Sequence, residues 1–512
     1  MSKQTKSIVS TTIVITILSM FFKVLGFVKQ AVIAYYFGTN VDTSAYFVAF
    51  GFVGTLSSAF IRAITLSLVS IYTHTLVNKG RDAASKVISA CLELLVPIVL
   101  IVTVLAYVFT PLISTVASVG WANDPEKIEQ LQTYLRICYP FFLFAVVTLV
   151  WSSVMDANKD FVISRTESAI TSIVTILCCV ILSSMKGVDV LVIAQYASYI
   201  CFGTLLLIRG RRHFKLSFVK FKDVPEIKTL LITALPLFIG SSVAQINKIV
   251  DNSLSTAISD DGPAALAYAV TLEEFVTFLL INNLVDVLYV NFSIYASSND
   301  FDKLIDTMKK AINIMICIML PITIVTCLTA DSIVSIAFER GAFQDTSVSM
   351  VTASLIGYAI GFTSMGIRDI IVRGLYSFKD TKRPMITGIF AVAFNIFFSI
   401  VLSRHIGIMG ITIASSISLT INFLINSKML KSHIHDYSLL VHIPVLLKQI
   451  PAIIYTVAVV LVVKHFIHND ILLFMLSALI GLAGYGLILL FMKIEEVDYI
   501  KAKVLAKLPT RR

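Results

Sequence analysis

Apolar runs of twenty residues and more follow one another almost without a break from Ile8 to Met492, and no other feature narrows the fold so far. Inside a bilayer every backbone N–H and C=O has to be bonded within the protein, which leaves helices or closed barrels. A membrane strand needs about 9–11 residues and a spanning helix about 20, so these runs fit the helix. They number about 14, with approximate limits 8–37, 44–74, 86–116, 131–155, 161–185, 188–209, 227–257, 264–296, 304–329, 347–377, 384–403, 407–430, 445–467 and 470–492. The chain is therefore read as an all-α integral membrane protein. Only 14% of its 512 residues are charged, whereas soluble domains carry about 25%, and a soluble enzyme is excluded. The first run lacks a small-residue cleavage pattern and is read as a retained span.

A net charge of +10 raises nucleic acid as a partner, but its distribution points to a membrane instead. Lysines and arginines gather in every second loop: Lys79, Arg81 and Lys86, then Lys159 and Arg165, the run Arg209 to Lys222, Lys303 to Lys310, Lys379 to Arg383, Lys428 and Lys431, and both tails. The loops between are neutral or acidic, with Asp124, Glu126 and Glu129 in one and Asp260 and Asp261 in another. This alternation is the positive-inside pattern and sets both termini in the cytoplasm of a multi-pass protein. Between spans six and seven, Phe214, Leu216, Phe218 and Phe221 interleave with Arg211, Arg212, Lys215, Lys220 and Lys222. Such a segment lies along a headgroup layer and takes anionic membrane lipids as partners.

Two local echoes suggest related halves. Asp42 to Tyr46 opens span two as Ala264 to Tyr268 opens span eight, and Met155 to Phe161 joins spans four and five as Tyr376 to Thr381 joins ten and eleven. Parallel repeats of this kind are a transporter architecture. The expected organisation is an N-lobe over 1–210, a basic amphipathic linker over 211–226, a C-lobe over 227–430, two further spans within 431–495, and a basic tail over 496–512.

Charges buried in the runs mark the functional region, because a cation at bilayer depth costs a few kcal/mol unless it faces water or a counter-charge. Span one holds Lys23 and Lys29, and span two holds Arg62 with no acid on its own helix. Arg62 either contacts an anion, for which its guanidinium fork suits phosphate, or pairs with Glu273 or Glu274 of span eight. In span seven, Asn247, Lys248 and Asp251 share a face; Asp251 either pairs with Lys248 or ligates a hard cation such as sodium. Asp369 and Arg373 of span ten have i,i+4 spacing and are expected to pair. No phosphate loop, HExxH or Cys/His metal spacing occurs, so an ATPase or metalloenzyme is not indicated. The seven cysteines all fall in spans and read as small apolar residues.

Three stretches carry a family resemblance: FKVLGFVKQAVIAYYFG with TSAYFVAF within 22–50, IAFERGAF at 336–343, and RGLYSFKDTKRP at 373–384. They resemble the MviN/MurJ family of the multidrug/oligosaccharidyl-lipid/polysaccharide exporter superfamily. The resemblance implies two six-helix lobes in a V plus two C-terminal helices, no cofactor, and a non-enzymatic flippase for undecaprenyl-pyrophosphate-linked saccharide, acting as a monomer in the bacterial cytoplasmic membrane. It places the pyrophosphate-binding cavity at Lys23 and Lys29, which match the family's two basic positions of span one, with Arg62 and Lys248 as further candidates. Asp251, Glu273, Glu274 and Arg373 are then the gating or coupling groups. A sodium site, where the family has one, would fall on Asp251, Asn395, Ser399 and Ser415. The chain departs from the family pattern at Ser44, at Ser57 and Ser58, and at Thr271, where charged residues are usual. A flippase for a surface-polysaccharide repeat unit therefore stands beside lipid II, with a cation-coupled multidrug exporter and a multispan glycosyltransferase further off.

Overall fold

The structure, a computed structural model, describes residues 3–213, 215–434, 437–492 and 494–496. The expected tail beyond residue 496 and the linker's Phe214 lie outside the described residues. Among those described the chain is helical with no strand, and it divides into two compact units, residues 1–267 with 341–343 and residues 268–340 with 344–512.

The first unit begins with α1 (Lys3–Phe37) and α2 (Val41–Val108). A straight helix of 68 residues would be about 100 Å long, over three times a bilayer core. Gly80 breaks it with φ 83°, ψ −179°, so two of the expected spans form one element bent at a glycine. Ile64, Leu68 and Tyr72 before the break share a core with Val87, Ile88 and Leu95 after it. Then come α3 (Thr110–Ala117), α4 (Pro125–Cys138), α5 (Phe141–Ala157), α6 (Phe161–Lys186), α7 (Asp189–Gly210) and α8 (Pro225–Ile258). The first four residues of the α8 region that face inward, Val224, Ile227, Leu230 and Ala234, are buried in that same core.

After α9 (Gly262–Thr277), which crosses from one unit to the next, the second unit contains α10 (Asn283–Ser297), α11 (Phe301–Leu328), α12 (Ala330–Phe338), α13 (Asp345–Ala359) and α14 (Phe362–Ser377). It ends with α15 (Lys382–Ile406), α16 (Ile408–Leu430), α17 (Ile443–Lys448), α18 (Ile450–Phe466) and α19 (Asp470–Phe491). Phe292, Met308, Met315, Phe362, Ile370 and Leu430 centre its core. Helices α15 and α16 join through side chains: Thr387 donates to Asn426 at 2.9 Å, Asn422 to the Thr387 carbonyl at 3.1 Å, and Ser418 to the Ala391 carbonyl at 2.5 Å. Hydrogen bonds between membrane helices average about 0.6 kcal/mol each, so the seam works by number.

The echoes read in the sequence recur as backbone geometry. Lys159 and Lys379 both take left-handed φ, 64° and 62°, and the next residue, Asp160 or Asp380, donates its N–H back to Met155 or Leu375, which closes each helix with a Schellman turn. Gly187 (φ 55°, ψ −142°) and Gly407 (φ 60°, ψ −142°) link α6 to α7 and α15 to α16 alike. Pro97 and Pro321 lie inside corresponding helices, and α4–α5 is broken at Tyr139-Pro140 as α13–α14 is broken at Ile360-Gly361. Among the described residues ten helices are long and apolar enough to span a membrane, or up to twelve if each of two bent pairs forms one span.

Candidate functional site

The candidate cations converge by unit. Helix α1 presents Lys23 and Lys29, both half-buried, and α2 presents Arg62, exposed. Lys248 on α8 is also exposed, and all four belong to the first unit. Neither Arg62 nor Lys248 makes an ion pair among the described residues. Lys29 is within electrostatic reach of Cys179 on α6, which fixes the side of α1 it occupies. Ser57 and Ser58 turn back on their own helix: Ser57 donates to the Val53 carbonyl at 2.7 Å and Ser58 to that of Thr55 at 2.9 Å. Ser44 is fully buried and accepts the Ala264 N–H at 3.4 Å.

Asp251 is 6% exposed and accepts from Asn247, one turn earlier, at 3.1 Å. The amide, not Lys248, is the neighbour of this carboxylate on its own helix. Asn395 donates to Ser415 at 2.9 Å and accepts from Ser399 at 3.1 Å. These three neutral groups thus form one cluster in the second unit, while Asp251 lies in the first. The oxygens of the second-unit cluster are of the kind a hard cation takes, and none of them is a carboxylate. Among the described residues no three His, Cys, Asp or Glu side chains cluster as metal ligands.

In the second unit, Glu273 and Glu274 sit on α9. The expected Asp369–Arg373 pair is replaced by two others. Arg368 binds its neighbour Asp369, while the Arg373 Nη2 reaches Asp286 Oδ1 on α10 at 3.0 Å and its guanidinium lies 5.5 Å from the Tyr289 ring centre. Helical spacing brings Asp369 and Arg373 to one face, but α10 packs on α14 and offers Arg373 a carboxylate with an aromatic face beside it.

Two features escaped the sequence reading. A polar cluster closes one end of the first unit: Lys127 Nζ contacts both Asp260 carboxylate oxygens at 2.8 Å and Asp124 at 3.2 Å, and Trp121 Nε1 donates to Asp260 at 3.0 Å. A tryptophan and a lysine inside an otherwise acidic loop were its signal. The other is a cavity of about 610 Å³ among α2, α5 and α8, walled by Phe52, Leu56, Phe60, Val102 and Phe238. Its walls are apolar, so it suits hydrocarbon and not a phosphate.

The FERGAF stretch also acquires a physical meaning. Residues 341–343 seat on the end of α1, where Ala342 N–H donates to the Tyr35 carbonyl at 2.8 Å. Gly38 (φ 56°) and Gly341 (φ 63°) face this contact: a Cβ on Gly38 would stand 2.2 Å from the Ala342 oxygen, and one on Gly341 2.3 Å from the Tyr35 oxygen. Only glycine fits either place.

Long apolar helices in repeated order, joined at matching turns and carrying cations within apolar runs, are the architecture of a multi-pass membrane transporter. A family model described as "Lipid II flippase MurJ" matches residues 33–481. The chain belongs to that family. It is 24% identical over 405 residues to a probable lipid II flippase MurJ of Rhizobium tropici, covering 77% of this chain and 76% of the relative. It is also 24% identical over 442 residues to the corresponding Vibrio cholerae protein, covering 81% and 82%. A solved structure of a lipid II flippase MurJ in an inward closed conformation superposes with TM-score 0.81 at 22% identity, covering 95% of this chain and all of that one. An inward-facing multidrug-resistance MATE transporter gives 0.66 at 14% identity, covering 81% and 94%, which shows a shared fold.

Proposed function

We propose that this protein is a flippase that moves a polyprenyl-pyrophosphate-linked saccharide, the lipid II type of peptidoglycan precursor, from the inner to the outer leaflet of the bacterial cytoplasmic membrane by alternating access. One observation carries the reading: Lys23, Lys29, Arg62 and Lys248 come from three helices of a single compact unit in spans otherwise this apolar. Arg62 and Lys248, exposed and in no ion pair among the described residues, call for water and a mobile anion. The pyrophosphate supplies the anion, and Arg62 can take two of its oxygens at once. The names of the relatives support lipid II as the saccharide carrier. The lobes 1–210 and 227–430 are taken as the repeats, on the strength of their matching turns, and the lysine-rich loops as the cytoplasmic side with both termini.

In this scheme Asp251, Glu273, Glu274 and Arg373 bias the inward and outward states, which need differ by only a few kcal/mol for substrate charge to shift them. Sodium coupling through Asp251, with Asn395, Ser399 and Ser415 as neutral donors, is a proposal that flipping rates in sodium-loaded and potassium-loaded vesicles decide. The linker supports a bond to anionic lipid: Phe218 is fully exposed and Leu216 largely so, beside exposed Lys215 and Lys220. The chain acts alone, as a monomer.

A second reading, a flippase for a surface-polysaccharide unit, is favoured by Ser57, Ser58 and Thr271 standing where the family carries charge. Complementation of a strain depleted of its lipid II flippase tests the choice. Growth restored by this chain supports lipid II, and failure with normal membrane insertion sinks it in favour of the second reading.

A further inference from the structure

The cavity of the first unit is an elongated slot. It follows α2 from Leu95 to Phe109, about 20 Å at helical rise, which exceeds the roughly 15 Å of hydrocarbon in one leaflet. Along one side Ile98, Val102, Leu105 and Leu235 are exposed. The slot is therefore continuous with the apolar exterior that a spanning protein turns to the bilayer.

Two polar atoms interrupt the lining, both towards the Phe109 end. The hydroxyls of Thr103 and Tyr139 are buried and make no hydrogen bond among the described residues, and Tyr139 is only 4% exposed. Thr110 Oγ1 lies near the Tyr139 hydroxyl but outside hydrogen-bonding geometry, and it spends its own proton on the Ala106 and Tyr107 carbonyls at 2.9 Å. A buried donor with no partner costs its full desolvation. A buried water takes about three polar partners, more than this lining offers. Arg136, one turn before Tyr139, is exposed, within electrostatic reach of it, and in no ion pair among the described residues. Tyr107 fixes this corner: its hydroxyl donates to the Arg136 carbonyl at 2.5 Å and its ring centre is 5.3 Å from that of Tyr139.

We infer that the slot binds one glycerophospholipid of the bilayer, with an acyl chain along its apolar walls, an ester carbonyl accepting from Tyr139 and Thr103, and the phosphate on Arg136. Hydrocarbon, neutral acceptor and anion follow one another in such a lipid as slot, hydroxyls and guanidinium do here. A polyprenyl pyrophosphate joins its anion directly to the chain and has no neutral acceptor between them, so it does not match the two hydroxyls. The polar groups come from α2, α4 and the α4–α5 break, and α8 supplies only an apolar wall, so the anchor does not depend on where α8 stands. The site goes beyond the flippase reading and is independent of it. Only its leaflet, the outer one, away from the lysine-rich loops, is taken from the orientation proposed above.

The full chain would be reconstituted in vesicles of phosphatidylethanolamine and phosphatidylglycerol with a trace of phosphatidylglycerol bearing a diazirine on its acyl chain, irradiated, and its adducts mapped. Adducts are expected on segments 52–64 and 95–109. Relative to those on exposed Leu479 of α19, they should fall at least threefold in Ala106→Phe, which fills the slot, and in Tyr139→Phe combined with Thr103→Val. Unchanged labelling in these variants overturns the inference, and so does a diazirine-bearing polyprenyl phosphate that labels the slot in place of the phospholipid. Thermal unfolding in detergent gives a second measurement. Tyr139→Phe removes an unpartnered hydroxyl and should unfold no earlier than the native chain without lipid, while added phosphatidylglycerol should raise the unfolding temperature of the native chain more than that of the variant. Equal rises overturn the inference. Arg136→Gln, at an exposed position, covers slot variants that do not fold: it should retain at least fivefold less phosphatidylglycerol through purification, counted by native mass spectrometry, and equal retention overturns the inference.

Discussion

Arg373 bypasses Asp369, one turn away on its own helix, and binds Asp286 of α10 at 3.0 Å. The pair is 37% and 68% exposed, and an exposed ion pair contributes at most about 1 kcal/mol to folding stability. Its place in a span gives it a functional weight larger than its stabilising one. We expect Arg373→Gln to leave thermal unfolding of the purified protein within about 2 °C while slowing flipping at least fivefold, with Asp286→Asn doing the same and the double variant no worse than either. A strictly additive double variant would show that the two act separately.

Arg62 is an exposed cation of α2, ahead of the break at Gly80. A charge-assisted hydrogen bond to phosphate is worth about 1.5–3 kcal/mol, so Arg62→Ala should weaken binding of undecaprenyl pyrophosphate in detergent by about 10- to 100-fold. Lysine should recover part of the loss, and the difference should shrink as salt rises. Equal affinity in the alanine variant at low salt would remove Arg62 from the site.

Gly341→Ala combines a left-handed φ, unfavourable by about 1–2 kcal/mol for a residue with a Cβ, with an overlap on the Tyr35 carbonyl. We expect a lowered unfolding temperature and lost transport, while Gly388→Ala, at a position with open space around it, serves as the neutral control. An unfolding curve for Gly341→Ala that overlays the control would contradict the crowding at α1.

His213 sits in the linker, where burial and the charges of Arg81 and Arg212 hold its imidazole below the usual histidine range against the opposing pull of Asp160. A depressed pKa means that the released linker binds the proton better than the docked one. Docking is therefore favoured in full above about pH 6.5 and weakens as pH falls below it. Proteolysis of the linker should accelerate between pH 7 and pH 5, and His213→Gln should flatten that dependence. Identical pH profiles for the two proteins would refute it.

Much of this fold could be read from the chain because a bilayer allows so few solutions. Apolar length marked the helices, and the turn at Lys379-Asp380 reproduced that at Lys159-Asp160 as the sequence echo indicated. Contacts set by packing were not legible. Asp369 and Arg373 have ideal spacing on one helix, but the partner of Arg373 is chosen by a helix almost ninety residues earlier. The Lys127–Asp260 contact likewise joins residues far apart in sequence, and no local pattern predicts which acid a loop lysine will meet. Glycines proved the better guide: Gly38 and Gly341, within the stretches that carry the resemblance, are the two residues that let α1 receive its cap.

That cap has a consequence for how the protein is made. The first unit is complete by residue 267 except for residues 341–343, so the end of α1 stays uncovered until a much later part of the chain leaves the ribosome. At about 5–20 residues per second the wait, from residue 37 to residue 341, is on the order of tens of seconds. Until then the Tyr35 carbonyl lacks the N–H that Ala342 supplies in the finished chain.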